Sequence, residues 1–209
     1  MSDAVILSAA RTPIGKLMGA LAPLTAPQLG ALAIKAAVER AQIDPSEIDE
    51  VYMGQVVSAG AGQVPARQAS ILAGIPAQVG AVTENKACGS GLRAVMMAAQ
   101  AIRAGDAELM IGGGMESMSN APHLVHMRMG VRYGNQTLLD ANDYDGLRDP
   151  FEHHAMGCAA EYIAEQYEVT REAMDRYALE SHRKAVAAQE AGAFDAEMIA
   201  VEVKHNGKV

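Results

Sequence analysis

The chain has 209 residues, enough for one large domain or for one domain with a sizeable insertion. Half of the residues are hydrophobic and a fifth are charged, which indicates a globular chain with a real core and excludes an extended disordered one. With 17 Lys and Arg against 25 Asp and Glu, the formal net charge is −8. This acidity argues against binding to nucleic acid or to an anionic membrane.

The two cysteines, Cys88 and Cys158, are too far apart in the sequence to suggest a disulfide framework. They are typical of a reducing compartment, where a cysteine either packs in the core or takes part in chemistry. The first residues lack a basic signal-peptide start, and no apolar run reaches the length of a membrane span. We therefore expect a cytoplasmic protein.

Strands and helices alternate over the first half of the chain. This alternation predicts an α/β domain with a largely parallel sheet over residues 1–118. A buried strand is predicted for the continuous apolar run Ala4–Ala10, and a helix for the segment that follows Thr25 and Pro27. The predicted elements are a strand over Ala4–Ala10, a helix to about Ala41, a strand over Glu50–Val57, a helix over Pro65–Ala73, a strand over Gly80–Asn85, a helix over Ser90–Ala104 with Gly105 as its C-cap, and a short strand over Leu109–Ile111 that runs into glycine turns at 112–114.

The pattern changes near residue 119, where we expect a second region over residues 119–209. Residues 120–157 have no clean hydrophobic period, which indicates an insertion. Helices are predicted over Cys158–Tyr167 and over Arg171–Gln189, the second capped by Thr170. Met198–Val203 alternates like the start of another strand.

The strongest chemical signal is the run NKACGSGLR, which places Cys88 between a predicted strand and a predicted helix. The unpaired N–H groups and the dipole of a helix N-terminus favour a thiolate, which is the nucleophilic form of cysteine. The same N–H groups can hold the oxyanion that forms when a thioester carbonyl is attacked. Most lone cysteines, however, are small buried hydrophobes. From the spacing alone, a catalytic and a packing role for Cys88 stay equally open.

Histidines are the other candidate ligands. His123 and His126, and the pair His153 and His154, have no cysteine or carboxylate set at metal-ligand spacing. Solvated or structural histidines are the better interpretation, and we expect no metal.

Several ordered motifs extend the signal around Cys88 to nearly the whole chain, and together they resemble the thiolase family. The opening motif is SAARTPIG. The later motifs are QVPARQ at Gln63–Gln68, AGIP at Ala73–Pro76, NKACGSGL at Asn85–Leu92, GGGMESMS at Gly112–Ser119, DGL at Asp145–Leu147, and Met156–Gly157.

The resemblance implies a five-layered αβαβα body built from two similar halves, of which this chain would be the N-terminal half with its inserted loop domain. It implies a thiolase acyltransferase that catalyses reversible Claisen condensation or thiolysis, with coenzyme A as a substrate and no separate cofactor. By position, Cys88 matches the acyl-accepting cysteine, and Leu147 and Met156 match residues lining the acyl and pantetheine pocket. Thiolases work as homodimers or homotetramers, so the same assembly is expected here.

The sequence departs from the family pattern in two places. Ala155 stands where short-chain biosynthetic thiolases often have histidine, so contact of His153 or His154 with coenzyme A stays open, as does acyl-chain length. The family's general-base histidine, second cysteine and water-holding asparagine belong to the C-terminal half, which this chain lacks. Cys158 is interpreted as a packing residue and not as that second cysteine. We expect the chain alone to be inactive without its C-terminal half or a second chain.

Two alternatives remain beside the thiolase interpretation. A ketoacyl synthase or HMG-CoA synthase relative would share the nucleophilic cysteine, although the Gln63–Gln68 and Gly112–Ser119 motifs favour thiolase. A non-catalytic half-protein would expose the apolar surface that its other half normally covers, and would act as an interaction module.

Overall fold

The structure is a computed structural model, and it describes residues 3–203. These residues form two compact units: one holds residues 3–146 and 199–203, and the other holds Leu147–Met198. The loop domain expected from residue 119 onward stays a prediction. None of the helices in the described part of the chain has the length and apolar character needed to cross a lipid bilayer.

A three-stranded parallel sheet forms the centre of the first unit. Its strands are β1 (Glu50–Gly54), β2 (Gly80–Glu84) and β3 (Met110–Gly114), in the spatial order β2-β1-β3. Gly54 lies opposite Glu84 on one side and Gly114 on the other, so the carboxyl ends of the three strands finish level. Parallel strands need crossover connections, which are supplied by the helices between them.

Three helices cover this sheet, and all three were predicted from the sequence. They are α1 (Ala26–Ala41), α2 (Pro65–Leu72) and α3 (Ser90–Ala104). Thr25 begins α1 with a reciprocal capping box, in which the Thr25 N–H donates to the Gln28 carboxamide at 2.8 Å and the Thr25 hydroxyl accepts from the Gln28 N–H. Gly105 ends α3 in the left-handed conformation at φ 83°, as predicted.

The core lies between the sheet and the pair α1–α2. Val51 is fully buried and Met53 is 2% exposed, and both point into this layer together with Met115 just beyond β3. Burying such side chains stabilises the fold by roughly 1.5–3 kcal/mol each. The buried core residues are Ala26, Ile34, Val38, Ile48, Val51, Met53, Ala66, Ala69, Ile75, Val79 and Met115.

The predicted first strand is wrong. Ala4–Ala10 belongs to no strand, and Val5 and Ile6 are 72% and 80% exposed. The segment contacts α1 through two hydrogen bonds: the Ser8 hydroxyl donates to the Ala37 carbonyl at 2.7 Å, and the Arg40 guanidinium donates to the Ala9 carbonyl at 2.7 Å. An apolar run becomes a strand only when another strand pairs with it, and among residues 3–203 none does.

The predicted strand over Met198–Val203 is wrong for the same reason. These residues contact the N-terminal segment, since the Ile199 N–H donates to the Arg11 carbonyl at 3.0 Å. An isolated bridge at Met198 does not make a ladder, and Met198–Val203 form no strand.

The rest of the first unit is largely irregular, as predicted for residues beyond 120. Two short antiparallel strands, β4 (His123–Leu124) and β5 (Leu139–Asp140), pair with each other. A π-helix over Asn142–Leu147 leads out of the unit. The second unit contains α4 (Met156–Gln166) and α5 (Arg171–Glu190), and Thr170 caps α5 by accepting from the Ala173 N–H at 3.2 Å.

One carboxylate fixes the start of the sheet and gives a pH-dependent prediction. Asp49 Oδ2 accepts from the N–H groups of Glu108 at 2.7 Å and Leu109 at 3.0 Å. The N–H of Leu109, and then that of Glu108, lowers the pKa of Asp49 below its ordinary value. A carboxylate with a lowered pKa stabilises the folded state above the unfolded-state pKa of about 3.9, and that stabilisation is lost as the pH falls through the folded-state pKa.

We expect Asp49→Asn to lower the free energy of unfolding by about 1 kcal/mol at pH 7, because Asp49 is exposed and water discounts its charged hydrogen bonds. Urea unfolding at pH 7 and pH 3 measures the effect. The gap between variant and parent should shrink at pH 3, and an equal gap at both pH values would contradict the assignment.

Candidate active site

Cys88 lies on the connection between β2 and α3, at the carboxyl edge of the parallel sheet. Strand β2 ends at Glu84, α3 begins at Ser90, and the Cys88 side chain is exposed. In open parallel sheets this edge is where ligands bind. Cys88 is therefore not buried among the described residues, and its catalytic role stays a prediction.

The turn before the helix is strained at Ala87, the residue that precedes Cys88. Ala87 has φ 46°, in the left-handed region that a residue with a Cβ rarely adopts. Side chains hold both peptide groups of Ala87: its N–H donates to Asn85 Oδ1 at 2.9 Å, and its carbonyl accepts from the Ser90 hydroxyl at 2.7 Å. Strain of this kind persists only where the surroundings fix the backbone.

The N–H groups at the start of α3 are partly occupied. The Gly89 N–H donates to the Lys86 carbonyl, and the Ser90 N–H donates to the Ala87 carbonyl, each at 3.1 Å. These two groups are engaged in the turn, so an oxyanion formed at Cys88 requires other donors. The expectation that the N–H groups at the start of α3 hold an oxyanion is wrong for those of Gly89 and Ser90.

Glycines bring α3 close to the sheet and so set the position of Cys88. A Cβ at Gly54 would lie 2.5 Å from the Ser90 carbonyl carbon, and one at Gly114 would lie 2.9 Å from the Gly91 Cα. Gly112–Gly114 are part of β3, and the glycine turn predicted there is wrong. These glycines are needed because the helix backbone rests directly on the strands.

Polar side chains gather where the three strands end. Glu116 Oε2 accepts from the N–H groups of Val56 at 2.8 Å and Val57 at 3.2 Å, and Asn85 Nδ2 donates to the Val56 carbonyl at 3.1 Å. The buried oxygens Glu116 Oε1, Glu84 Oε1 and Gln55 Oε1 have no hydrogen-bond partner. Among residues 3–203, no three His, Cys, Asp or Glu side chains are arranged to hold a metal ion.

Leu147 and Met156, the other predicted site residues, border a tight turn of the second unit. Both side chains are about half exposed. Asp149 builds the turn by accepting from the N–H groups of Phe151 at 3.0 Å and Glu152 at 2.5 Å, and the Glu152 N–H is the largest cause of its lowered pKa. His153 and His154 lie in this turn and contribute backbone groups to it. The pocket-lining role of Leu147 and Met156 stays a prediction.

Cys158 was interpreted from the sequence as a packing residue, and that interpretation is wrong. It lies near the start of α4, a helix with no buried residue, and its side chain is exposed. A cysteine packs only where another surface covers it, and within the described residues none does.

The structure is that of an α/β protein with an exposed cysteine at the carboxyl edge of a parallel sheet. The chain matches the family description "Thiolase, N-terminal domain" over residues 4–209. It therefore belongs to the thiolase family, and its fold is the N-terminal half of the thiolase fold, as predicted.

Relatives and a solved structure agree with this assignment. The chain is 55% identical to an acetyl-CoA acetyltransferase of Cupriavidus necator, over 96% of this chain and 51% of that protein. It is 47% identical to a probable acetyl-CoA acetyltransferase of Escherichia coli K12, over 100% of this chain and 53% of that protein. The crystal structure of Acat5 thiolase from Ascaris suum in complex with coenzyme A superposes with a TM-score of 0.92 at 44% identity, covering 96% of this chain and 52% of that one. The chain spans about half the length of the curated relatives it matches.

Proposed function

We propose that this chain provides the nucleophilic half of a thiolase-type acyltransferase, in which Cys88 carries the acyl group. The observation that carries the proposal is the exposed Cys88 on a turn fixed from both sides at the start of a 15-residue helix. Membership of the thiolase family supports it, because relatives in that family are named acetyl-CoA acetyltransferases.

The proposed chemistry is a two-step transfer between thioesters. The Cys88 thiolate attacks the carbonyl carbon of an acyl-CoA, a new C–S bond forms to Cys88, and the bond to the coenzyme A sulfur breaks. Coenzyme A leaves as the thiol after taking up a proton. In the direction of condensation, the enolate of a second acetyl-CoA, formed by loss of a C2 proton, then attacks the acyl carbonyl and the bond to Cys88 breaks. In the direction of thiolysis, the Cys88 thiolate attacks the C3 carbonyl of a 3-ketoacyl-CoA instead, the C2–C3 bond breaks, and acetyl-CoA leaves after its C2 takes up a proton. The thiol of coenzyme A then takes the acyl group from Cys88.

Proton transfer in this scheme requires a base, and we propose that it comes from outside the described residues. Among residues 3–203 the Cys88 thiol makes no side-chain hydrogen bond and no ion pair. A general base must lie within hydrogen-bond reach of the proton that it removes. On this proposal the 209-residue chain alone turns over negligibly, and adding a C-terminal half of the family restores thiolysis.

The finer assignments follow from the family resemblance. We propose coenzyme A as the substrate, with Leu147 and Met156 at its acyl and pantetheine end; the Ascaris suum thiolase was crystallised in complex with coenzyme A. We also propose a homodimer or homotetramer located in the cytoplasm.

Transfer of a labelled acetyl group tests the proposal. With [14C]acetyl-CoA we expect the parent protein to retain label through denaturation, and Cys88→Ser and Cys88→Ala to retain none, because the accepting sulfur is gone. Cys158→Ser is the matched control, since it removes the other exposed cysteine and should leave labelling intact. Full labelling of Cys88→Ala, or loss of label only in Cys158→Ser, would refute the assignment.

A non-catalytic interaction half is a second candidate, favoured by one observation. Val5, Ile6 and Leu7 expose apolar side chains along an unpaired segment. Such a segment is suited to pairing with another chain. If the parent protein takes up no acetyl label but binds a C-terminal half in size-exclusion chromatography, this second function is the correct one.

A further inference from the structure

The Cys88 turn contains a strained residue that the reaction itself does not use. Ala87 is held at φ 46°, although alanine normally avoids this region. Its side chain is a methyl group and supplies no chemistry. The conformation is held by the backbone bonds that the Gly89 and Ser90 N–H groups donate and by two neighbouring side chains, Ser90 and Asn85.

Ser90 imposes it from the helix side. Its hydroxyl accepts from the Lys86 N–H at 2.8 Å and donates to the Ala87 carbonyl at 2.7 Å, so one side chain closes the turn at both ends. Ser90 is only 4% exposed, which leaves no room for water to replace the hydroxyl. Its position in the first turn of α3 fixes the turn directly to the helix.

Asn85 imposes it from the strand side. Its Oδ1 accepts from the Ala87 N–H at 2.9 Å, and its Nδ2 donates to the Val56 carbonyl at 3.1 Å. The Val56 N–H in turn donates to Glu116 Oε2 at 2.8 Å. Asn85 therefore connects the turn to the residues that follow β1 and β3, at the carboxyl edge of the sheet.

We propose that Ser90 and Asn85 are positioning residues that hold Ala87 in the left-handed conformation and so present the Cys88 thiol at the open edge of the sheet. This inference rests on the proposed role of Cys88 as acyl acceptor. Each residue acts through the backbone of Ala87. The turn is thus set before the substrate arrives, as an efficient nucleophile requires.

A role in packing alone makes a different forecast. If Ser90 and Asn85 only stabilise the fold, their loss lowers the melting temperature and leaves the chemical reactivity of Cys88 in the folded protein unchanged. If they position Cys88, its reactivity falls even in folded protein. Because glycine adopts a positive φ without strain, replacing Ala87 by glycine should then restore the turn in the absence of the Ser90 hydroxyl.

Alkylation by iodoacetamide measures this directly and does not depend on acyl transfer. The second-order rate constant of alkylation is measured separately at Cys88 and Cys158 by peptide mass spectrometry of the full-length protein. Cys158 lies in the other compact unit and is the internal control. We expect Ser90→Ala and Asn85→Ala to slow alkylation of Cys88 about tenfold, with Cys158 unchanged, because the turn then no longer presents the thiol at the open edge of the sheet.

Three further variants identify the mechanism. Ser90→Thr keeps the hydroxyl and Asn85→Asp keeps the oxygen that holds the Ala87 N–H, so each should retain more of the Cys88 rate than the matching alanine variant. The double variant Ser90→Ala with Ala87→Gly should recover most of the loss. Circular dichroism confirms that each variant is folded, and if Ser90→Ala does not fold, the Asn85 pair provides the comparison.

Each outcome decides a different point. Alkylation of Cys88 within twofold of the parent in folded Ser90→Ala and Asn85→Ala overturns the inference, as does a loss that Ala87→Gly does not restore. If the parent protein takes up no acetyl label, but the variants still show the tenfold loss of Cys88 alkylation and its rescue by Ala87→Gly, the proposed function is refuted and the positioning role is supported.

Discussion

Replacing Gly54 by alanine should lower the free energy of unfolding by about 3 kcal/mol, the upper part of the range for overpacked cores. The added Cβ would lie 2.5 Å from the Ser90 carbonyl carbon, 2.6 Å from the Ser90 Cβ and 2.7 Å from the Gly91 nitrogen. Two of these three atoms are backbone, so no flexible side chain can move away. Helix α3 must shift from the sheet, and the Cys88 turn is fixed to its first residue.

Urea unfolding measures the loss in free energy, and labelling with acetyl-CoA measures the displacement of Cys88. Gly157→Ala is the control for the added methyl group, because a Cβ at Gly157 meets nothing within 4 Å, although Gly157 lies in a helix and Gly54 in a strand. The control should change the free energy of unfolding by less than about 1 kcal/mol, in the stabilising direction. An unchanged urea midpoint for Gly54→Ala would show that α3 does not rest on β1 as described.

The sequence predicted the elements whose signals are local. The bounds of α3 are as predicted, because its periodic apolar face and Gly105 both lie within the helix or next to it. Helix α1 has the predicted cap at Thr25 for the same reason. Ala4–Ala10 failed because an apolar run reports a tendency to be buried and does not specify the strand that would pair with it. The identity of the pairing strand depends on residues far away in the sequence.

The candidate site divides in the same way. The place of Cys88 between β2 and α3 could be predicted, whereas the hydrogen bonds that Asn85 and Ser90 make to Ala87 were missed. The sequence did contain a signal for the Asn85 contact. The side chain of an asparagine can accept from the backbone N–H two residues later, as Asn85 does from Ala87. The Ser90 contact could not be foreseen, because it depends on the strained backbone that only the folded turn contains. The close approach of Gly54 to α3 was also invisible, since 36 positions separate Gly54 from Ser90 in the sequence.

Glu116 provides the second large effect, because it holds the loop after β1 to the end of β3. Its Oε2 accepts from the N–H groups of both Val56 and Val57, which lie 60 and 59 positions away in the chain. Val57 is buried, and no water reaches the Glu116 Oε1 atom that lies beside this contact. Removing the carboxylate would therefore leave two backbone donors without an acceptor.

We expect Glu116→Ala to lower the free energy of unfolding by about 3 kcal/mol, since each buried polar group left without a partner costs about 1–3 kcal/mol. Glu116→Gln is the matched control: it keeps one oxygen for the two N–H groups and should lose less than half as much. Urea unfolding of both variants gives the comparison. Equal losses would mean that charge or packing, and not the shared acceptor, is what matters at this position.

The same variant also tests whether the Cys88 turn depends on the sheet. Val56 donates to Glu116 and accepts from Asn85, so the loop held by Glu116 is the support on which Asn85 rests. Folded Glu116→Ala should therefore show slower alkylation of Cys88 with Cys158 unchanged, and Glu116→Gln should show a smaller loss. An unchanged rate of Cys88 alkylation in destabilised Glu116→Ala would mean that Asn85 and Ser90 hold the turn without help from Glu116. The turn would then keep its shape although the loop after β1 had loosened.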